Sequence, residues 1–454
     1  MDVTTAVARP DAALWQLGGV LIMGAVLSIL DATIVTVGID SIARDLGSPV
    51  TTVQWVASAY LLAASAAIPL SGWLTDRFGG RAVWLTAVAI FTAGTLLCGF
   101  AWSAPALIAF RVLHGLGGGL MQPVGQAVFA QAAGPALGRM IGVITLPATV
   151  APVLGPLLGG ALVADFGWRW MFFGVVPLGV ATFVVARRLL PAPSPSGACS
   201  RLDVRGILLL SPGLAAFVYG LAEGVVVAWA AGAVLLLVYG LHASRTPSPV
   251  LDLKLFRDKG FSVASISTFL LGASLYSSML LLPLYYEQVE HASPWEAGLL
   301  LAPQALGSAA VLLAGGRLLA RFGPRRMMLA GIGLSLLGTV AFTQLASAPG
   351  GVLLTISLLI RGAGLGAATA PGMTTLYGSL ERSRIPRAAS AFNVINRVGG
   401  SLGTALLAAI LHTSLVSSAP PAAFGTTFTW ALALSALTLV PAAFFPRASP
   451  APPH

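Results

Sequence analysis

The sequence predicts an all-α, polytopic membrane protein of fourteen transmembrane helices, two six-helix bundles plus two extra central helices. Three observations predict it. Of 454 residues, 57% are hydrophobic and only 9% charged, whereas a soluble domain carries roughly 25% charged residues. So few charges cannot cover a water-facing surface of this size, and the solvent is therefore lipid. Apolar stretches of about 20 residues, the length that crosses a bilayer as a helix, recur along the whole chain. Finally, the charged, glycine-bearing turn Gly72-Trp73-Leu74-Thr75-Asp76-Arg77-Phe78-Gly79-Gly80-Arg81 returns in altered form at Gly316 to Arg326, with starts 244 residues apart. A polar hairpin at the same place in two halves marks a duplication.

Residues 1–16 are polar and carry no cleavable leader, so the first apolar stretch is expected to remain as a helix. The first six spans read 17–39, 53–74, 82–101, 105–130, 140–164 and 168–186. A Pro/Ser-rich linker follows, Pro191 to Ser200. The stretch 206–241 is too long for one helix and breaks at Glu223-Gly224, so it is read as two short spans. Six more lie at 262–284, 296–319, 327–346, 351–373, 389–412 and 425–445. The expected divisions are an N-terminal bundle (1–190), a linker with two added helices (191–248) and a C-terminal bundle (249–454). Residues 249–259 alternate apolar and charged side chains and read as an interfacial segment on the cytoplasmic leaflet.

Charge supports this order. A net charge of +10 would suggest nucleic acid in a soluble protein; here basic loops held on the cytoplasmic side explain it, and no nucleic-acid partner is expected. With both termini cytoplasmic, 20 of the 25 Lys and Arg fall in cytoplasmic segments and only Arg44 and Arg169 outside. Arg111, Arg361 and Arg397 lie within or at the edge of spans, and the outer loop after the ninth span is acidic, with Glu287, Glu290 and Glu296. Such asymmetry is what the positive-inside rule requires, and the expected location is the inner, cytoplasmic membrane of a cell. Cys98 falls in a span and Cys199 in the linker, so no disulfide framework is expected. Neither Lys254 nor Lys259 sits in a Gly-x4-Gly-Lys-Ser/Thr loop, and no His-Glu-x-x-His occurs. An ATP-driven pump, a metalloenzyme and a metal site are therefore disfavoured, and no enzyme activity is expected.

An ionised carboxylate near mid-membrane is expensive, which makes Asp31, the clearest acid inside a span, a functional candidate. His114 can titrate near neutral pH or simply make a helix–helix hydrogen bond. Residues 275–281 offer no acid corresponding to Asp31 in the second half, while Arg361 sits 250 residues after Arg111. Gln54, Gln122, Gln126, Tyr276, Gln304, Arg361, Asn393 and Asn396 are candidate lining of a central cavity. Amides and rings in an apolar cavity suit amphipathic organic molecules better than sugars. Trp168, Trp170 and Trp295 read as belt residues at the outer interface.

In order along nearly the whole chain, these residues resemble the major facilitator superfamily, specifically its fourteen-helix drug:proton antiporter branch. The resemblance rests on Gly72, Leu74, Asp76, Arg77, Gly79 and Arg81 in the first hairpin, and on Gly316, Leu318, Arg321, Gly323 and Arg325 in the second. It extends to Leu30-Asp31-Ala32-Thr33-Ile34-Val35-Thr36-Val37, Arg111-Val112-Leu113-His114-Gly115 and Gly155-Pro156-Leu157-Leu158-Gly159-Gly160. Trp168-Arg169-Trp170 and Pro177-x-Gly179 also match. Departures are Gly80 for a basic residue, Ala320 for the second hairpin's aspartate, Thr36 for asparagine, Asp40 for proline, His114 for glutamine and Ala151 for glycine.

The resemblance implies a major facilitator fold and proton-coupled export of hydrophobic or cationic small molecules by alternating access. It implies proton coupling at Asp31, Arg111 and His114, and a cytoplasmic gate at Gly72, Asp76, Arg77, Gly79 and Arg81 that latches the outward-open state. Gly155, Pro156, Gly159 and Gly160 match the motif associated with antiport, although plain helix packing explains them equally well. No cofactor is expected beyond the proton motive force. The expected partners are protons, a small amphipathic substrate and the bilayer, and the expected state is a monomer. Rival readings are export of a specific metabolite, lipid, siderophore or amino acid, proton-linked uptake, and a non-transporting membrane scaffold or sensor.

Overall fold

The computed structural model describes residues 12–137, 162–190 and 202–445, except 164, 248 and 379, together with the single positions 140, 145, 151, 155 and 159. Among these residues every regular element is helical, and twelve helices are long and apolar enough to cross a membrane. Helix is what lipid demands, because each backbone N–H and C=O then finds its partner within one segment.

The first half comprises α1 (Ala12–Val37), the short α2 (Ile39–Asp45), α3 (Val50–Ala67), α4 (Leu70–Phe78), α5 (Gly80–Gly99), α6 (Ala104–Ala133), α7 (Arg169–Phe173) and α8 (Val175–Leu189). Pro69 interrupts the second span, so α3 and α4 cross as two pieces. The central pair is α9 (Val204–Ala222) and α10 (Val226–Arg245), parted at Glu223 and at Gly224, whose φ is 69°. The second half comprises α11 (Lys259–Gln288), α12 (Pro294–Thr343), α13 (Gly351–Gly378), α14 (Ile385–Ser417), α15 (Pro420–Ala436) and the short α16 (Leu439–Ala442). The expected span at 140–164 falls mostly outside the described residues.

The repeated hairpin is repeated in the backbone. Gly79 joins α4 to α5 with φ 80° and ψ 145°, and Gly323, inside α12, has φ 75° and ψ 163°. Only glycine adopts such angles freely. The methyl of Met327 lies 3.9 Å from where a Cβ on Gly315 would stand, although twelve residues of straight helix would separate them by about 18 Å. The chain therefore doubles back at Gly323, and α12 holds two spans rather than one.

Within the first half, α6 is wedged between α3 and α5. Its glycines allow this: a Cβ on Gly115 would lie 2.5 Å from the Tyr60 carbonyl oxygen, and one on Gly117 would lie 2.5 Å from the Phe91 nitrogen. Small residues let helix backbones approach closely, which is how helices associate where lipid removes the hydrophobic drive. Gly117→Val is accordingly expected to destabilise the bundle by about 1–3 kcal/mol, the usual cost of overpacking. A lower melting temperature in detergent checks this, and unchanged melting would mean that α5 and α6 part freely.

The two halves meet chiefly at the hairpin face, where the start of α14 packs on α4 and α6. The central helix α9 leans on both halves, through α3 and α14. On α3, Trp55 stacks on Tyr219 at 5.1 Å, and Ser58 donates to the Glu223 carboxylate at 3.2 Å.

Two local expectations are corrected. Trp168 is not a belt residue, being only 3% exposed, and its indole donates to Asp45 at 3.0 Å. Arg169 pairs with the same carboxylate at 2.5 Å, so the two residues tie the opposite-face ends of α2 and α7 together. Those hydrogen bonds, Arg169 first and Trp168 second, hold the Asp45 carboxyl below its usual range. Trp170 and Trp295 are half exposed, as a belt requires. The 249–259 segment does not merely lie on the surface, because Val250, Leu251 and Leu255 are buried. Tyr239 of α10 clasps the Leu251 backbone, accepting from its N–H at 2.8 Å and donating to its carbonyl at 3.1 Å.

Candidate functional site

Three side chains expected to act together do meet. Arg111 on α6 pairs with Asp31 on α1 at 2.6 Å, and both side chains are fully buried. The same Nη1 reaches His114 Nδ1 at 3.1 Å, one helical turn on, and Arg111 Nε donates to the Val56 carbonyl at 2.9 Å. The guanidinium also lies over the Tyr60 ring, 4.3 Å from its centroid, a cation–π contact. Tyr60 is fixed in turn by donating to the Ser28 carbonyl at 3.1 Å.

The hydrogen-bond directions show how His114 is bonded in this conformation. Arginine has only donors, so Nδ1 must accept. The Thr95 hydroxyl is spent on the Phe91 carbonyl at 2.8 Å, leaving its oxygen to accept from His114 Nε2–H at 2.8 Å. The imidazole is thus a neutral strut between α5 and α6. Gly94 gives it room, since a Cβ there would lie 2.7 Å from the His114 Cα. Asp31 Oδ1 and Arg111 Nη2 are buried without a hydrogen-bond partner among the described residues.

The second half repeats the frame with different chemistry. Arg361 on α13, 3% exposed, donates to Gln304 Oε1 at 2.5 Å, Thr339 Oγ1 at 3.2 Å and Ser278 Oγ. Ser278 lies 83 residues before Arg361 as Asp31 lies 80 before Arg111. A serine thus occupies the acid's place, and Arg361 makes no ion pair among the described residues.

The gate residues divide. Asp76 crosses to the other half, accepting from Arg387 Nε at 2.8 Å. Gly72 lets α4 touch the start of α14, since a Cβ there would stand 3.1 Å from Arg387 Cα. Burial pushes the Asp76 carboxyl above the usual range, and Arg387 opposes this. Arg81 instead donates to the Arg187 carbonyl at 2.6 Å and braces its own half; Arg77 is exposed. Beside this latch Ser390 donates to the Ile68 carbonyl at 2.9 Å. Asn393 donates to Gln126 Oε1 at 2.7 Å, joining two of the expected cavity residues.

Tyr276 and Asn396 lie at the α11–α14 seam, against Gly400 and Gly272 respectively. Gln122 and Gln304 are half buried, and Gln54 is exposed near the start of α3. Gly155 fits against Thr33 and Gly159 against Ile34, within a turn of Asp31 on α1. Pro156 and Gly160 lie outside the described residues. Arg387 and Ser278 carried no signal in sequence, one being an ordinary loop arginine and the other one of two adjacent serines.

The Major Facilitator Superfamily profile matches residues 21–404 and 264–454. The chain is 36% identical over 430 residues to the multidrug resistance protein B homolog of Mycobacterium tuberculosis, covering 90% of this chain and 79% of that protein. It is 29% identical to the uncharacterized MFS-type transporter YhcA of Bacillus subtilis, covering 86% and 75%. In fold it is similar to the proton:xylose symporter XylE, with a TM-score of 0.68 at 14% identity, covering 97% of each chain. It is similar also to the human organic anion transporter MFSD10, at 0.67 and 18%, covering 95% of this chain and 100% of that one. The profile match and the mycobacterial relative together show that this multi-pass membrane protein belongs to the Major Facilitator Superfamily of transporters.

Proposed function

We propose that the chain is a proton-coupled secondary transporter of the fourteen-helix drug:proton antiporter branch, exporting amphipathic small molecules across the cytoplasmic membrane. The observation that carries this reading is the fully buried Asp31–Arg111 pair, on two helices of one half and with no acid in the corresponding place of the other. Arg111 remains charged at any physiological pH. Asp31 therefore has two ways to be neutralised, by Arg111 or by a proton. In the conformation closed at the hairpin face it uses Arg111. A shift of α1 that opens this contact makes a proton the alternative partner, since an unpaired buried charge costs about 3–5 kcal/mol. Coupling follows from that exclusivity.

Export of varied compounds is supported by the mycobacterial relative, whose name records multidrug resistance, and by the amides of Gln126 and Asn393 that meet between the halves. The hairpin face is assigned to the cytoplasm because Arg77, Arg81, Arg187, Arg188, Arg317, Arg321, Arg325 and Arg326 cluster there. The test is flux of an amphipathic dye in proteoliposomes under an imposed pH gradient. Dye movement coupled to dissipation of the gradient, and lost with an uncoupler, is expected. Dye flux indifferent to both gradient and uncoupler would sink proton coupling.

A further inference from the structure

Once the Asp31 pair is set aside, two membrane-embedded arginines remain, and neither meets an acid among the described residues. Arg361 is held by an amide and two hydroxyls. Arg397 lies on α14, one turn beyond Asn393 and two beyond Ser390, the residues through which that helix meets the first half. On α3, two turns lead from Ile68, the partner of Ser390, back to Tyr60. The two helices run in opposite directions from the hairpin face, so these steps bring Arg397 and Tyr60 to one level. Arg111 lies over the Tyr60 ring. Arg397 is half buried, and its Nε is buried without a hydrogen-bond partner among the described residues.

A guanidinium does not shed its proton to escape burial, and a desolvated cation without an anion is costly. Here one acid stands against Arg111, Arg361 and Arg397, and that acid is already paired with Arg111. Arg397, on the helix that meets the first half, therefore carries a charge with no acid opposite it among the described residues, and Arg361 carries another inside the second half. A lipophilic cation approaching Arg397 would be repelled, whereas a planar carboxylate matches the guanidinium fork.

We infer that the substrate is an amphipathic organic anion, whose carboxylate or similar group docks on Arg397 between the two halves while Arg361 keeps the second half positive. The inference narrows the substrate class and rests on reading this central space as the transport site. It replaces the sequence-based expectation of hydrophobic or cationic compounds with a charge of definite sign.

The experiment measures equilibrium binding to the purified protein in nanodiscs, with three probes sharing one ring system: anthracene carboxylate, anthracene carboxamide and anthracenylmethylammonium. The carboxylate is expected to bind at least about tenfold tighter than the amide, and the ammonium weakest. R397Q should bring the carboxylate to the amide's level, and R397K should retain part of the preference. S278D sets an acid against Arg361 without deleting a side chain, and should also weaken the preference. Equal affinities in the wild-type protein, tighter binding of the ammonium, or full carboxylate preference in R397Q would overturn the inference. No gradient is involved, so the two readings fail separately. Carboxylate binding without proton-driven flux would sink the export reading alone; proton-driven export of the ammonium probe would sink this one alone.

Discussion

Asp31→Asn is expected to lower proton-driven flux by more than about 100-fold, equivalent to about 2.7 kcal/mol in the coupled step, while probe binding persists. Asparagine has nearly the shape of aspartate and keeps a carbonyl oxygen where Asp31 Oδ2 accepts from Arg111 at 2.6 Å. The fold is therefore preserved better than in Asp31→Ala, which would leave Arg111 buried with no counter-charge, held only by the neutral acceptors of Val56 and His114, and cost about 3–5 kcal/mol. What asparagine cannot do is take up and release a proton. Substrate exchange at equal pH on both sides needs no proton step and should continue in the variant. Flux under a pH gradient separates the two processes. Equal gradient-driven flux in wild type and Asp31→Asn would remove Asp31 from the coupling machinery, and the buried pair would then be a structural brace.

The first half of this site was legible in the sequence because charge in lipid is rare. Asp31 and Arg111 stand out against apolar neighbours, and resemblance to a family paired them. His114 was read either as a titrating group or as a helix–helix hydrogen bond, and its partner, a hydroxyl nineteen residues away on another helix, could not be named from sequence. Asp76 was expected at a cytoplasmic gate, and the residue it accepts from in this conformation lies 311 residues on. Nothing in the local pattern separates Arg387 from the other basic residues of its loop. Arg397 was visible as an arginine within or at the edge of a span. That it meets no acid among the described residues emerges only when helix packing shows which residues surround it. Trp168 illustrates the same limit in reverse: a tryptophan near a helix end fits an interfacial belt, and only the position of Asp45 shows that the ring turns inward. Periodicity and hydropathy report how a segment meets lipid, whereas partnerships between segments are set by packing.

Closure of the hairpin face rests on two contacts of different kind, and each can be broken alone. Gly72→Leu adds atoms where a Cβ would already stand 3.1 Å from Arg387 Cα and 3.3 Å from the Pro386 carbonyl oxygen. Backbone cannot swing aside as a long side chain can, so α4 and α14 must separate. Arg387→Glu replaces a charge-assisted hydrogen bond to Asp76, a type worth about 1.5–3 kcal/mol, with two facing carboxylates. Each change is expected to shift the population toward a conformation open at this face by at least about tenfold, equivalent to 1.4 kcal/mol. Asp76→Asn should do much less, because burial already disfavours the Asp76 charge and the amide keeps an acceptor for Arg387. Exchanging the two charges, Asp76→Arg with Arg387→Asp, should recover much of the closure lost in Arg387→Glu. Spin labels at the exposed Phe78 and Ser383, in a background lacking Cys98 and Cys199, report the separation of the halves directly. Longer distances in Gly72→Leu and Arg387→Glu, and near wild-type distances in the exchanged pair, are the expected pattern. If both single variants keep the wild-type distribution, the α4–α14 contact does not hold this face shut, and closure must depend on Ser390 and Asn393 deeper along the same helix.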